Sequence, residues 1–259
     1  MKTVILCGGM GTRLREETEF RPKPMVEIGG RPILWHIMKI YSFYGFNDFI
    51  ICLGYKGEII KEYFCNYEMQ NNDITIELGK HNEVEIHSNH AENGWKVTLA
   101  DTGKDTMTGA RIKRIEKYIE TDSFMLSYGD GLADVNIKKL VEFHNSHGRI
   151  GTMTTVIPPS RFGRIIESNG RVVEFSEKPR VKDDLINGGY FVFNREIFNY
   201  LTDDSNCILE RTPLEDLAKD GELMVNKHEG FWECMDTYRD FELLNRLWES
   251  KRTPWKIWD

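Results

Sequence analysis

In Thr3-Val4-Ile5-Leu6-Cys7-Gly8-Gly9-Met10-Gly11-Thr12-Arg13-Leu14 a short apolar run empties into a loop with three glycines and an arginine. The run reads as a buried strand. The glycines let a backbone approach a ligand closely and turn successive N–H groups inward. A helix N-terminus after the loop would add partial positive charge. Strand, glycine loop and helix in that order suggest a site for nucleotide phosphates. Two common glycine motifs are excluded. No Gly-Lys is followed by Ser or Thr anywhere in the chain, so there is no P-loop, and Leu14 stands where the dinucleotide fingerprint needs its third glycine. The loop carries Arg13 instead, whose guanidinium can fork two phosphate oxygens. A second cation, Lys23, follows in Arg21-Pro22-Lys23-Pro24-Met25, between prolines that stiffen the backbone.

Outward from this loop, short apolar runs alternate with helical patterns, the signature of an α/β fold. Pro32 opens a helix with Ile33, Ile37, Ile40, Tyr41 and Tyr44 at helical spacing, stopped by Gly45. Asp48 to Leu53 reads as a strand, Lys56 to Tyr67 as a helix, and Phe124 to Tyr128 as a strand ending at Gly129-Asp130-Gly131. Asn136 caps a further helix that carries Leu140 and His144. From Ile150 on, Thr152 to Val156, Val172 to Phe175 and Tyr190 to Phe193 read as strands of a partly antiparallel extension. Helices return after Glu210, notably Asp240 to Ser250, and the tail with Trp255 and Trp258 is expected to pack on the body or on another subunit. The polar stretch from Gln70 to Gly103 fits a hairpin insertion.

Composition narrows the function classes. With 40% hydrophobic and 29% charged residues the chain can bury a core, and 259 residues suit one large domain. A net charge of −7 argues against a general nucleic-acid binder, which gains affinity by releasing counterions from phosphates. No apolar run nears the ~20 residues that span a bilayer. The first apolar stretch breaks at Gly8-Gly9, so no signal-peptide core is expected. The five cysteines are odd in number and lack C-x-x-C spacing, which suits reduced thiols and a cytoplasmic location. Asp130, between two glycines at a strand's C-terminal end, is placed where open α/β sheets bind ligands, and suits a hard cation. His81, His87 and His90 lack partners at zinc-ligand spacing, and His144 and His147, ending a helix, are expected as imidazolium.

The run Gly8 to Leu14, followed by Pro22-Lys23-Pro24-Met25-Val26-Glu27-Ile28-Gly29-Gly30, resembles the signature of the sugar-1-phosphate nucleotidyltransferases. Glu16-Glu17-Thr18 and Pro32-Ile33-Leu34-Trp35-His36-Ile37-Met38-Lys39 narrow the likeness to the glucose-1-phosphate cytidylyltransferases. It continues through Met107 to Arg111, Tyr128 to Gly131, Glu177-Lys178-Pro179, Ile186 to Tyr190, Phe231-Trp232, Met235-Asp236-Thr237 and Pro254-Trp255-Lys256, covering essentially the whole chain. Cys7 and Ala110 depart from the usual alanine and glycine, and neither side chain need carry chemistry.

The resemblance implies a Rossmann-like mixed sheet of the GT-A-like type, with a sugar-binding extension and C-terminal helices, as one domain over residues 1–259. It implies transfer of CMP from CTP to α-D-glucose 1-phosphate, with Mg²⁺ held by Asp130 and Asp236. Arg13, Lys23 and Asp130 are the implied catalytic residues. Leu6, Gly8, Gly9, Met10, Gly11, Thr12, Arg13 and Lys23 would bind the nucleotide, with Thr106 and Arg111 on the cytosine side, from this chain or a neighbouring one. Glu177, Lys178, Asn187 and Gly188 would hold the sugar phosphate. A homo-oligomer such as a hexamer, and a place in nucleotide-sugar supply for a surface polysaccharide such as a lipopolysaccharide O-antigen, are implied as well. Trp35 and His36 read as packing; Phe231 and Trp232 suit either core packing or a sugar pocket. The same chemistry with another base or sugar remains open. A silent nucleotide sensor is disfavoured by the presence of Arg13, Lys23 and Asp130, and a nicotinamide oxidoreductase by Leu14.

Overall fold

The computed structural model describes residues 1–79, 83–87, 90, 92, 94–158, 163–176 and 185–258. In chain order its elements begin with β1 (Lys2–Cys7), α1 (Arg15–Thr18), the short pair β2 (Glu27–Ile28) and β3 (Arg31–Pro32), α2 (Ile33–Phe43) and β4 (Asp48–Leu53). Then come α3 (Gly57–Cys65), α4 (Tyr67–Asn71), the hairpin β5 (Asp73–Ile76) and β6 (Val84–His87), β7 (Lys96–Asp101), α5 (Thr108–Arg114), β8 (Ser123–Tyr128), β9 (Gly131–Ala133) and α6 (Ile137–His147). The last third holds β10 (Gly151–Val156), the hairpin β11 (Arg164–Ser168) and β12 (Arg171–Ser176), β13 (Ile186–Asn194), α7 (Thr212–Lys219), β14 (Leu223–His228), β15 (Trp232–Cys234) and α8 (Tyr238–Glu249).

Seven strands form the central sheet in the order β14-β10-β13-β8-β1-β4-β7. Pairing is parallel throughout, except that β13 runs against both β8 and β10. Alternation along each strand feeds two apolar layers, as the period of two requires. In β1, Ile5 and Cys7 face one layer while Val4 and Leu6 face the other; in β4, Phe49, Ile51 and Leu53 oppose Ile50 and Cys52. The first layer is covered by α2, α6 and α8, the second by α5 and α7. No helix among the described residues is long and apolar enough to cross a membrane.

From β1 the chain steps outward to β4 and β7, then returns to place β8 on the other side of β1. That reversal opens a crevice beyond the C-terminal ends of β1 and β8, where sheets of this kind receive ligands. The loops that meet there are Gly8–Leu14 and Gly129–Asp130.

Several expectations change here. The stretch from Gln70 to Gly103 does contain a hairpin, β5–β6, but it also holds β7, the edge strand of the main sheet. His144 and His147 are not favoured as cations. Burial pulls both below the ordinary imidazole value, His144 bonds Thr152 and Asn194, and His147 bonds Thr152. Packing therefore outweighs the helix C-terminus. His87 bonds Thr75 and His90 bonds Glu68; His81 lies outside the described residues. The tail packs on the body: Trp255 is fully buried, stacks on Phe231 and sends its N–H toward His36 Nδ1 at 3.4 Å. His36 and Trp35 are buried, as packing residues would be.

Candidate active site

β1 delivers the chain into the crevice at Gly8. A Cβ there would lie 2.1 Å from the Arg111 guanidinium carbon, so only glycine fits. The Gly8 carbonyl accepts from Arg111 Nη2 at 3.0 Å and from the Tyr55 N–H at 3.1 Å. Gly11 has φ of +62°, and its carbonyl accepts from the Leu14 N–H and the Thr18 hydroxyl, both at 3.0 Å. The helix after the loop, α1, spans only four residues. It is too short to sum a useful dipole, so the positive charge expected from a helix end comes instead from Arg13 and Lys23. Leu6, Gly8, Gly9, Gly11, Thr12, Arg13 and Lys23 line a cleft of about 580 Å³; Met10 is half exposed and does not line it.

On the opposite lip two carboxylates converge. β9 pairs antiparallel with β15, with Gly131 opposite Cys234. Asp130, one residue before β9, is thereby set beside Asp236, two residues after β15. The Met235 N–H donates to the Asp130 carbonyl at 2.9 Å and closes the junction. Asp236 stands one residue before Thr237, which caps α8 in a capping box with Asp240. Lys23 Nζ sits between the carboxylates, 2.7 Å from Asp130 Oδ2 and 2.6 Å from Asp236 Oδ1. Arg13, largely exposed, reaches Asp236 Oδ2 at 2.9 Å. Burial works against the Lys23 ammonium, but the Asp130 charge and the hydrogen bonds to both aspartates outweigh it and hold its pKa at about 12. Cys234 lies in the same group, its ligand atom within 4.8 Å of the two carboxylates. Burial, then the Asp130 charge, push that thiol well above its ordinary value.

This arrangement tests the implied cation site. Two carboxylates already close on one positive charge, the Lys23 ammonium, and they offer the hard oxygen donors that Mg²⁺ takes. The donor set therefore fits a divalent cation.

Thr106 and Arg111 line the cleft formed by this same chain, so no neighbouring copy is needed to bring them there. Arg111 is 3% exposed. Its Nη1 donates to the Leu53 carbonyl, the Thr102 hydroxyl and the Gly103 carbonyl at 2.8, 2.8 and 2.7 Å. Its Nη2 donates to the carbonyls of Gly8 and Lys104. Both terminal nitrogens are thus committed to the backbone that shapes the cleft. Thr106 Oγ1 accepts from Arg114 at 2.8 Å.

The remaining wall comes from β13 and β15. Asn187 and Gly188 line it, and the Gly188 carbonyl accepts from Trp232 Nε1 at 2.8 Å. Trp232 is therefore on the cleft and Phe231 behind it, against Trp255. Tyr128, Thr108 and Glu210 complete this side. Glu177 and Lys178 lie outside the described residues. Sequence reasoning missed the cleft positions of Cys234 and Glu210; a cysteine in an apolar run and a glutamate before a helix carry no distinguishing pattern.

A family model described as "Nucleotidyl transferase" matches residues 2–241. The glucose-1-phosphate cytidylyltransferase of Salmonella typhi is 50% identical over 260 residues, covering 100% of both chains. Among solved structures, a UDP-glucose pyrophosphorylase complexed with UDP-glucose superposes with a TM-score of 0.69 at 15% identity, over 97% of this chain and 99% of that one. The inositol-1-phosphate CTP transferase from T. maritima gives 0.65 at 16% identity, over 96% of each. At such identities these two structures speak for the fold alone.

Proposed function

This chain belongs to the nucleotidyl transferase family, and on that premise we propose that it makes CDP-glucose and pyrophosphate from CTP and α-D-glucose 1-phosphate. A phosphate oxygen of the sugar 1-phosphate attacks the α-phosphorus of CTP, the α–β phosphoanhydride bond breaks, and pyrophosphate leaves. The nucleophile is already an anion at neutral pH, since a phosphate monoester loses its second proton near pH 6. No general base is required. The protein must hold two polyanions together and absorb the charge that grows on the leaving group.

The observation that carries the reading is the charged group beside the glycine loop in the cleft: Lys23 paired with Asp130 and Asp236, and Arg13 paired with Asp236. In this reading the N–H groups of the loop cradle the triphosphate and Arg13 faces the departing pyrophosphate. Lys23 turns its ammonium from the carboxylates to the phosphates under attack. Asp130 and Asp236 would hold Mg²⁺, which would supply charge neutralisation to the bound nucleotide. Asn187 and Gly188 face the hexose, with Glu177 and Lys178 beside its hydroxyls and phosphate. Arg111 serves the nucleotide through the backbone it braces, and Thr106 borders the base.

Copies of this chain associate in the same reading. Support comes from the hairpins β5–β6 and β11–β12, which expose Ile74, Ile76, Val172, Val173 and Phe175. A cytoplasmic location, where thiols stay reduced, and the supply of nucleotide sugar for a surface polysaccharide go with it. The test is a panel of CTP, UTP, dTTP and GTP against several sugar 1-phosphates, read by pyrophosphate release. CTP with glucose 1-phosphate is expected to give the highest kcat/KM. Preference for UTP or dTTP would refute the choice of base and leave the reaction class standing.

A further inference from the structure

Five hydrogen bonds run in two arms along one side of the cleft and converge on Glu210. The Gly189 N–H donates to Asn187 Oδ1 at 2.8 Å, and Asn187 Nδ2 donates to Tyr128 Oη at 2.9 Å. Tyr128 Oη then donates to Glu210 Oε1 at 2.5 Å. From the other side the Leu209 N–H donates to Thr108 Oγ1 at 2.9 Å, and Thr108 Oγ1 donates to Glu210 Oε2 at 2.6 Å. Both arms end on one carboxylate. An ionised carboxylate only accepts, so Glu210 fixes the proton direction of both hydroxyls. With its hydroxyl proton committed to Glu210, Tyr128 must accept from Asn187, which orients the Asn187 amide. Burial and the Glu210 charge keep Tyr128 a neutral phenol. Its ring also supports the wall directly: Gly189 has φ of +80°, and a Cβ there would lie 2.8 Å from Tyr128 Cδ2.

We propose that Glu210 is a positioning residue for the sugar 1-phosphate, acting through Tyr128 to fix Asn187 and the Gly188-Gly189 backbone in the geometry the hexose meets. The inference rests on the reading of Asn187 and Gly188 as the sugar wall. Glu210 itself need touch neither substrate. Among the cleft-lining carboxylates, Asp130 and Asp236 are engaged by Lys23, whereas the side-chain partners of Glu210 among the described residues are neutral hydroxyls. That pattern suits a hydrogen-bond anchor and not a second cation site.

The experiment uses the full chain and four proteins: wild type, Glu210→Ala, Glu210→Gln and Tyr128→Phe. Three readouts are taken: KM for glucose 1-phosphate, the Kd for CTP by calorimetry without sugar phosphate, and the thermal midpoint. Glu210→Ala and Tyr128→Phe are expected to raise KM for glucose 1-phosphate by about tenfold, the loss of one well-placed hydrogen bond, while the Kd for CTP stays within about twofold. Glu210→Gln keeps an acceptor for Tyr128 and is expected to restore most of the loss. An unchanged KM in Glu210→Ala and Tyr128→Phe overturns the proposal. So does an equal rise in the Kd for CTP, which would make Glu210 a nucleotide contact, or an equal loss in every parameter with a lowered thermal midpoint. A wild-type chain that binds CTP but ignores glucose 1-phosphate overturns the underlying reading, and this inference with it.

Discussion

Replacing Arg111 by Met separates two roles that an arginine in this cleft can have. The side chain keeps most of its volume but loses every donor. Three acceptors that are buried with Arg111 in place, the carbonyls of Leu53 and Gly8 and the hydroxyl of Thr102, lose their charged partner. The carbonyls of Gly103 and Lys104 are only partly buried and can turn to water. Each of the three buried acceptors keeps a second partner, the Tyr55 N–H on Gly8, the Thr102 N–H and hydroxyl on Leu53, so the loss is that of three buried hydrogen bonds from a charged donor. At roughly 1 kcal/mol or more apiece, Arg111→Met is expected to destabilise the chain by about 3 kcal/mol. With a urea m-value of ~3 kcal/mol per M, the unfolding midpoint should fall by about 1 M. Arg111→Lys offers one ammonium where two nitrogens now serve five acceptors, and is expected to fall between Met and wild type. The assay is equilibrium urea unfolding of the three proteins, paired with calorimetric CTP titration of those that fold. A midpoint unchanged within about 0.2 M, with CTP binding lost, would refute the reasoning. Arg111 would then be a ligand contact and not a brace of the loop, since exposed contacts cost the fold little.

His36 makes the fold sensitive to acid. Its Nε2 bonds the Ile28 carbonyl at 2.8 Å and its Nδ1 faces the Trp255 N–H, an arrangement only the neutral ring satisfies. Burial, the largest cause, lowers its pKa from 6.5 to about 4. Between those values the unfolded chain takes up a proton that the folded chain refuses. Stability is therefore complete above pH 6.5 and declines as pH falls toward 4, by at most about 3 kcal/mol for this group. His36→Gln should flatten the urea-midpoint profile between pH 4 and 6.5, and a profile as steep as wild type would exclude His36 as its source. Trp255→Ala empties a fully buried site between Phe231 and His36; a loss of about 3–5 kcal/mol is expected in the same assay, and a loss under 1 kcal/mol would mean the tail is not part of the core.

Much of the architecture is legible in the sequence because burial on both faces makes strands read as apolar runs. Asp48–Leu53 and the run that ends at Cys7 show this plainly. β7 is the counterexample. It lies at the sheet edge, only Ala100 in it is fully buried, and its polar alternation blends into the hairpin region before it. The glycine loop is legible because its φ requirement and close approaches restrict composition. The meeting of Asp130 with Asp236 is not, since it depends on β9 pairing with β15 across a long stretch of chain; a family likeness suggests it where spacing cannot. Arg111 illustrates a further limit. A basic residue in Arg111-Ile112-Lys113-Arg114 looks solvated or ligand-bound, and only the fold reveals carbonyls closing around it. His144 and His147 show helix position overruled by burial. Glu210 carries no local signal, because its partners come from α5 and β8.

The central claim is that the glycine cleft, with its cations and its aspartate pair, is where a triphosphate is split by a second phosphorylated molecule. Pyrophosphate release from CTP and glucose 1-phosphate, measured with Mg²⁺ for the wild type and for Asp130→Asn, tests it most directly. Removing one carboxylate of the pair is expected to lower kcat by about 100-fold or more, with the thermal midpoint held near wild type. An Asp130→Asn protein that releases pyrophosphate at the wild-type rate would contradict the claim.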